Sequence, residues 1–156
     1  MLTTSRRSTS TIACLTERPP SSIRFAGTTS RRAVSSGVGL VPEDRKGQGI
    51  VLDMEIRKNM TMANAAPVTT AGFFRATAER SLVQKLIQSL RIKLGSMNDP
   101  VSSLSGGNQQ KVVLAKWFNT DPDLIILDEP TRGVDVGAKT EIYTLVHRLA
   151  AEGKAV

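Results

Sequence analysis

The sequence LIILDE at residues 124–129 decides the fold class of this 156-residue chain. Four consecutive apolar residues between turn signals are typical of a central parallel strand that is covered on both faces. The two acids that follow, Asp128 and Glu129, then lie at the carboxyl edge of the sheet, where open α/β sheets bind ligands. One acid can hold Mg²⁺ while the other orients an attacking water, and Pro130 disfavours helical geometry at Glu129. The alternative is that both acids only cap the next turn.

Strands and helices alternate on both sides of this strand, which predicts a parallel α/β sheet flanked by helices. The longest predicted helix rests on Leu82, Leu86 and Leu90, which recur every fourth residue and form one apolar stripe. The predicted elements are strands at 23–25 and 37–41, a charged loop at 43–49, helices at about 71–93, 107–118 and 137–151, and the start of a strand at 154–156.

Charge is distributed unevenly along the chain, and this argues against a nucleic-acid partner, with binding through the basic first 40 residues left as an alternative. The net charge is +7, but residues 1–40 hold six Arg against one acid, whereas residues 41–156 hold fifteen Lys and Arg against thirteen acids. The later region offers no basic face that could follow phosphates, so we expect no nucleic-acid partner. One cysteine, Cys14, excludes an internal disulfide, and with one histidine, His147, no zinc cage can be built. His147 is expected at the surface of a helix.

Residues 1–21 have a different composition from the rest of the chain. They are rich in Ser, Thr and Arg and poor in acids, which predicts disorder. The same composition fits an organellar transit peptide. A third interpretation, which we prefer, is that this segment is not native to the fold.

A second segment that carries chemistry is LSGGNQQK at residues 104–111. Ser105 followed by Gly106 and Gly107 at a helix start offers a hydroxyl, free backbone amides and the positive helix end. This combination favours an anion, and the missing Cβ atoms let a phosphate approach closely. The alternative is a flexible linker in which Ser105 is an ordinary helix N-cap.

A third segment, TRGVDVG at residues 131–137, follows the two acids directly. Gly133 permits a tight turn, and Asp135 is placed to bond across a site or across a subunit boundary. The alternative is a simple loop in which Asp135 caps the next helix.

The three segments together closely resemble the signature motif, the Walker B strand and the D-loop of an ATP-binding cassette (ABC) ATPase. The variants NQQK and TRGVDVGAK resemble in particular the second cassette of tandem-cassette ATPases from bacterial monosaccharide importers. VPEDRKGQGIVLDMEIRKN at 41–59 fits the same cassette around its Q-loop. The resemblance covers residues 22–156 and implies a P-loop NTPase-like parallel sheet with a helical subdomain at about 53–119.

The resemblance also implies roles for the acids at the strand end. Asp128 would coordinate Mg²⁺, and Glu129 would be the general base that polarises water for attack on the γ-phosphate of ATP. Glu43 falls where many cassettes place a glutamine that senses the metal and contacts the membrane partner, although the residue differs here.

For the other two motifs the resemblance implies contacts between two cassettes. Ser105, Gly106 and Gly107 would contact the γ-phosphate of a nucleotide held by the opposing cassette, and Asp135 would couple the two sites. The implied partners are transmembrane permease subunits and a second ABC cassette. The protein would lie peripherally on the cytoplasmic face of the inner membrane and would not touch the sugar.

One expected motif of the family is missing from the sequence. None of the twelve glycines begins a G-x-x-x-x-G-K-[ST] phosphate loop, or Walker A motif. We therefore expect a cassette fragment that lacks both flanks and, alone, binds ATP poorly and does not hydrolyse it at a meaningful rate. Tight binding of Mg-ATP in isothermal titration would contradict this. The alternatives are a non-catalytic fragment that only associates with full-length ABC ATPases and, because the LSGG motif occurs there too, a DNA-repair ATPase head.

Overall fold

The computed structural model describes residues 30–156. The segment at 1–21, the strand predicted at 23–25 and Cys14 lie outside the described residues. Between the helices and strands lie a π-helical turn at Arg45–Gly49 and two 3-10 turns at Ala66–Val68 and Val101–Ser103. The helices and strands are α1 (Ser30–Ser35), β1 (Val38–Val41), α2 (Ile56–Thr61), β2 (Thr69–Thr70), β3 (Phe73–Phe74), α3 (Ala76–Leu90), α4 (Gly106–Phe118), β4 (Leu124–Leu127) and α5 (Val136–Ala151).

The sheet that carries the predicted acids is parallel, as the sequence indicates. Strands β1 and β4 pair in parallel from Val38 opposite Leu124 to Val41 opposite Leu127. On the other edge of β4, the amide of Ile125 donates a hydrogen bond of 2.8 Å to the Ala155 carbonyl. The strand start predicted at 154–156 is therefore present as a single parallel bridge to β4.

Within residues 30–156 only one residue of strand β4 is fully buried, so its coverage on both faces stays a prediction. Ile125 is fully buried, but the other three residues of the strand are half-buried. Leu40, the partner of Ile126 in the neighbouring strand, is 46% exposed. Successive side chains of a strand point to opposite faces, and helices α4 and α5 contribute their apolar residues to the core on the Ile125 side.

Helix α4 is the centre of the packing. Four consecutive residues, Val112 to Ala115, have no exposed surface, which is expected only of a helix that is surrounded on all sides. The helix contacts β1, α2, α3 and α5. It begins one residue before the predicted start at 107 and ends at the predicted residue 118.

The helix predicted over 71–93 is shorter, because its first residues form a hairpin. Strands β2 and β3 pair in antiparallel fashion around Ala71 and Gly72, whose φ angles are +50° and +81°. Two positive φ angles in a two-residue loop are typical of a type I′ turn, which no helix can include. Helix α3 ends where Arg91 adopts a left-handed φ of +50°.

The remaining expectations concern the exposure of His147, membrane-spanning helices and the helical subdomain. His147 is exposed on α5, as predicted. No helix within residues 30–156 combines the length and the apolar character needed to cross a bilayer. A separate helical subdomain at about 53–119 stays a prediction.

Candidate functional site

Strand β4 delivers the two predicted acids to the edge of the sheet. The Asp128 amide donates to the Val41 carbonyl at 2.9 Å, which extends the β1–β4 ladder by one residue. At Glu129 the backbone turns away with a left-handed φ of +42°. A non-glycine residue in this conformation is strained, and such strain concentrates at functional sites. Pro130 follows it, and a residue before proline avoids the right-handed helical region. Both carboxylates are exposed at the strand end.

A cation that the sequence analysis missed, Arg132, lies between two glutamates. Its Nη1 contacts the Glu43 carboxylate and lies 3.9 Å from Oε2 of Glu129. All three side chains are exposed, so these ion pairs contribute little to stability. Their effect is to bring Glu43, which follows β1, and Glu129, at the end of β4, to one guanidinium. The sequence feature that could have indicated this cation is the arginine of TRGVDVG, because that segment follows the two acids directly.

The predicted anion segment begins α4 as expected, but its serine does not cap the helix. Ser105 occupies the N-cap position without a side-chain cap hydrogen bond. Its hydroxyl oxygen accepts from Nδ2 of Asn108 at 3.1 Å, and Oδ1 of Asn108 accepts from the Lys93 amide at 3.0 Å. The ordinary N-cap alternative is therefore wrong, and Asn108 orients Ser105 at the helix start.

The two glycines of this segment make close contacts within the chain. A Cβ atom on Gly106 would lie 2.9 Å from Nη2 of Arg45, and one on Gly107 would lie 2.6 Å from the Cβ atom of Ala138. Both distances are shorter than real Cβ contacts, so a larger residue would force the neighbour to move. The first turn of α4 is thus packed against the 45–49 turn and against α5 at the same time.

Asp135 begins helix α5 and lies beside the signature segment. Its Oδ1 accepts from the Ala138 amide at 2.8 Å, so the predicted alternative of a helix cap is present. A Cβ on Gly107 would lie 3.7 Å from Oδ2 of Asp135. Ser105, Gly107 and Asp135 line one open cavity of about 250 Å³, together with Lys93, Asn108, Lys111, Gly137, Ala138 and Glu141.

The structure therefore separates the predicted site residues into two groups. Ser105, Gly107 and Asp135 line the cavity, with Gly106 next to them in the first turn of α4. Asp128 and Glu129 lie at the end of β4 and do not line it. The segment at 131–135 connects the two groups.

Lys111 is a second residue of the cavity that the sequence analysis missed. Its side chain is only 3% exposed, and its Nζ donates to the Arg91 carbonyl at 2.9 Å and to the Glu141 carboxylate. The hydrogen bond and the positive charge of Lys111 lower the pKa of Glu141. Lys111 thereby connects α4 to α5 in the wall of the cavity. The signal in the sequence was a lysine directly before the apolar run VVLA of the predicted helix.

Asp128, at the end of β4, is better suited to a magnesium ion that binds together with a nucleotide than to a metal ion held by protein side chains alone. Within residues 30–156 no three His, Cys, Asp or Glu side chains cluster as a metal cage. Mg²⁺ usually keeps several waters and is held through one or two carboxylates and the phosphates of a substrate. Asp128 offers an exposed carboxylate, and none of the ion pairs among the described residues involves it. The donor set present therefore fits Mg²⁺ that arrives with a nucleotide.

The fold is that of the ATPase cassettes of the P-loop NTPase class. A dimeric post-hydrolysis state of the ATP-binding cassette MJ0796 bound to ADP and Pi matches with a TM-score of 0.59, at 22% identity, over 75% of this chain and 49% of that chain. A second structure, described as the dimeric bacterial ABC transporter cassette MJ0796, also gives 0.59 at 22% identity, over 74% of this chain and 48% of that chain. These likenesses establish the fold.

The chain belongs to the ABC transporter family, whose sequence model matches residues 8–132. It is 62% identical over 127 residues to ribose import ATP-binding protein RbsA 3 of Rhizobium meliloti (strain 1021), covering 81% of this chain and 25% of that protein. It is 56% identical over 126 residues to ribose import ATP-binding protein RbsA of Chelativorans sp. (strain BNC1), with the same coverage. The chain spans about a quarter of the length of these relatives.

Proposed function

We propose that this chain is part of the ATP-hydrolysing subunit of an ABC transporter that imports a monosaccharide. Two of its relatives are named ribose import ATP-binding proteins, at 62% and 56% identity. The observation that carries the proposal is the juxtaposition of Ser105, Gly107 and Asp135 around one open cavity at the start of α4. Residues from two motifs that are far apart in the sequence meet there at a surface that a second cassette can reach.

In this proposal the cavity faces the nucleotide of an opposing cassette. Ser105, Gly106 and Gly107 contact the γ-phosphate through the hydroxyl and the amides of the first turn of α4, where the helix dipole favours negative charge. Asp135 couples the two sites across the interface. The exposure of Ser105 and its orientation by Asn108 support this role.

The acids at the strand end divide the chemistry between them. Asp128 holds Mg²⁺, which when bound neutralises charge on the phosphate oxygens. Glu129 is the general base: its carboxylate accepts a proton from the water that attacks the γ-phosphate. The exposure of both carboxylates and the left-handed turn at Glu129 support this assignment.

The partners follow from the same proposal. A second cassette supplies the nucleotide that faces Ser105, and transmembrane permease subunits carry the sugar. The protein lies peripherally on the cytoplasmic face of the inner membrane. It touches neither the sugar nor a nucleic acid.

Hydrolysis by the assembled transporter tests the proposal. Glu129→Gln in the complete ATP-binding subunit, purified with its permease, is expected to lower the hydrolysis rate by about 10²–10⁴-fold while ATP still binds, because the amide cannot accept the proton. Glu152→Gln is the matched control, since Glu152 is an exposed carboxylate beyond the end of α5. Hydrolysis at the unaltered rate in Glu129→Gln would refute the assignment.

A further inference from the structure

We propose that Arg45 is a positioning residue that clasps the turn at 132–133 to the first turn of α4. This inference rests on the proposed function, because it names the residue that sets the distance between the signature segment and Asp135. Arg45 belongs to the turn that follows β1, 87 residues away from the nearer of its two acceptors.

The guanidinium holds main chain rather than side chains. Nη1 of Arg45 donates to the Arg132 carbonyl at 3.0 Å, and Nη2 donates to the Gly133 carbonyl at 3.4 Å. Gly133 has a φ of +64°, which lets the turn present two consecutive carbonyls to one planar group. A Cβ on Gly133 would lie 3.6 Å from Nη1, so the turn wraps closely around the guanidinium.

The same guanidinium also lies against the first turn of α4. The space that a Cβ on Gly106 would occupy is 2.9 Å from Nη2 of Arg45 and 3.4 Å from the Gly133 carbonyl oxygen. Arg45 therefore lies where the start of α4 meets the segment that leads to Asp135. The absence of a side chain at Gly106 is what allows this arrangement.

The turn that carries Arg45 is itself fixed to α4. The Nζ atom of Lys116 donates to the Gly49 carbonyl, and burial lowers the pKa of Lys116. A Cβ on Gly49 would lie 3.0 Å from a methyl group of Val113. Because one end of the clasp is attached to α4 and the other holds the 132–133 turn, a displacement of α4 is transmitted to Asp135.

Arginine is suited to this role in a way that lysine is not. Its planar fork presents two donors at a fixed spacing, whereas a lysine ammonium is a single point charge on a flexible stem. The contact between Glu43 and Arg132 is a second link between the turn after β1 and the turn after β4. Arg45→Lys is therefore expected to restore only part of what Arg45→Met removes.

Hydrolysis kinetics of the assembled transporter give the functional readout. Arg45→Met is expected to lower kcat by roughly 10²-fold, because small misplacements of positioning groups cost about this much. KM for ATP should change by less than about threefold, since Arg45 does not contact the nucleotide in this proposal. Arg45→Lys should recover part of kcat, and Lys46→Met, at the exposed cation next to it, should change neither constant. An unchanged kcat in Arg45→Met, or a loss carried only by KM, would overturn the inference.

Hydrogen exchange of the 156-residue chain tests the clasp without any ATPase activity. Arg45→Met should speed amide exchange in peptides spanning 130–137 and leave α4 unchanged. Gly106→Ala should also speed exchange at 130–137, because the new methyl group displaces Nη2 of Arg45, and it should add little in the Arg45→Met background. Unchanged exchange at 130–137, or fully additive effects, would refute the clasp. If the chain shows these exchange changes but the assembled transporter hydrolyses no ATP, the proposed function is refuted and the clasp is not.

Discussion

The buried carboxylate of Glu79 gives the most direct test of how the helices around α4 are held. Glu79 lies on α3, its side chain is 1% exposed, and it forms an ion pair with Arg57 of α2. Its Oε1 also accepts a hydrogen bond of 3.0 Å from the Thr61 hydroxyl. Arg57→Met removes the cation and leaves the carboxylate enclosed.

The magnitude follows from the burial. Removing one partner of a buried ion pair costs about 3–5 kcal/mol, because the remaining charge is neither hydrated nor compensated. Arg57→Met should therefore lower the free energy of unfolding by about 4 kcal/mol. In the double variant Arg57→Met, Glu79→Leu both charges of the buried pair are removed, while Glu55, which lies 2.6 Å from Arg57 in the unaltered chain, keeps its pairing with Lys58. The Thr61 hydroxyl keeps its 3.0 Å bond to the backbone carbonyl of residue 57. This variant should regain more than about half of the loss.

Urea unfolding of the 156-residue chain measures these differences. Trp117 is the single tryptophan, and its fluorescence can be followed together with circular dichroism. Lys58→Met is the matched control: Lys58 is 52% exposed and pairs with Glu55 at the surface, so its loss should cost about 0–1 kcal/mol. A cost below about 1 kcal/mol for Arg57→Met would refute the reasoning. A double variant as unstable as the single one would refute it equally.

Three further predictions concern the cavity and its rim. Gly107→Ala should destabilise the chain by about 1–3 kcal/mol in urea unfolding, because its methyl group would overlap α5, whereas Gly137→Ala should not destabilise it. Ser105→Ala should leave the urea midpoint unchanged, since the hydroxyl does not cap α4, and should slow ATP hydrolysis by the assembled transporter; a lowered midpoint would contradict this. Because the hydrogen bond and charge of Lys111 lower the pKa of Glu141 below its usual value of 4.5, the stability from this pair is complete above that pH and is lost as the pH falls through the lowered pKa. Unfolding from pH 7 to pH 3 should therefore show a steeper acid loss in the unaltered chain than in Glu141→Gln, and parallel curves would contradict the ion pair.

The sequence was sufficient wherever one local pattern determined the outcome. The apolar stripe of Leu82, Leu86 and Leu90 predicts α3, and LIIL predicts a parallel strand, because spacing and length alone specify these elements. Residues 71–74 of the hairpin at 69–74 were assigned to a helix instead, since ordinary helix-forming residues adjoin them and the turn depends on a positive φ at Ala71. The hydrophobic periodicity of a sequence does not predict the backbone conformation of a single alanine.

Contacts between distant segments were beyond the reach of such patterns. Arg45 and its acceptor at residue 132 are 87 positions apart, and any cation near 45–46 would have suited the charge pattern equally well. The sequence likewise did not reveal the contacts of Lys111. Its residue type predicts a surface position, but it is buried because α4 lies at the centre of the packing. Which lysine or arginine contacts a distant segment depends on the tertiary fold, because the side chain must be close enough to its acceptor.

The diglycine of the signature segment shows how one pattern can serve two physical needs. From the sequence, the missing Cβ atoms at Gly106 and Gly107 were explained by the approach of a phosphate. In the structure, the same missing atoms admit the Arg45 guanidinium on one side and Ala138 on the other. A substitution at either glycine therefore changes internal packing whether or not a nucleotide binds. Ser105 makes no comparable packing contact through its hydroxyl, so a comparison of Ser105→Ala with Gly107→Ala separates the ligand-facing role of this corner from its packing role.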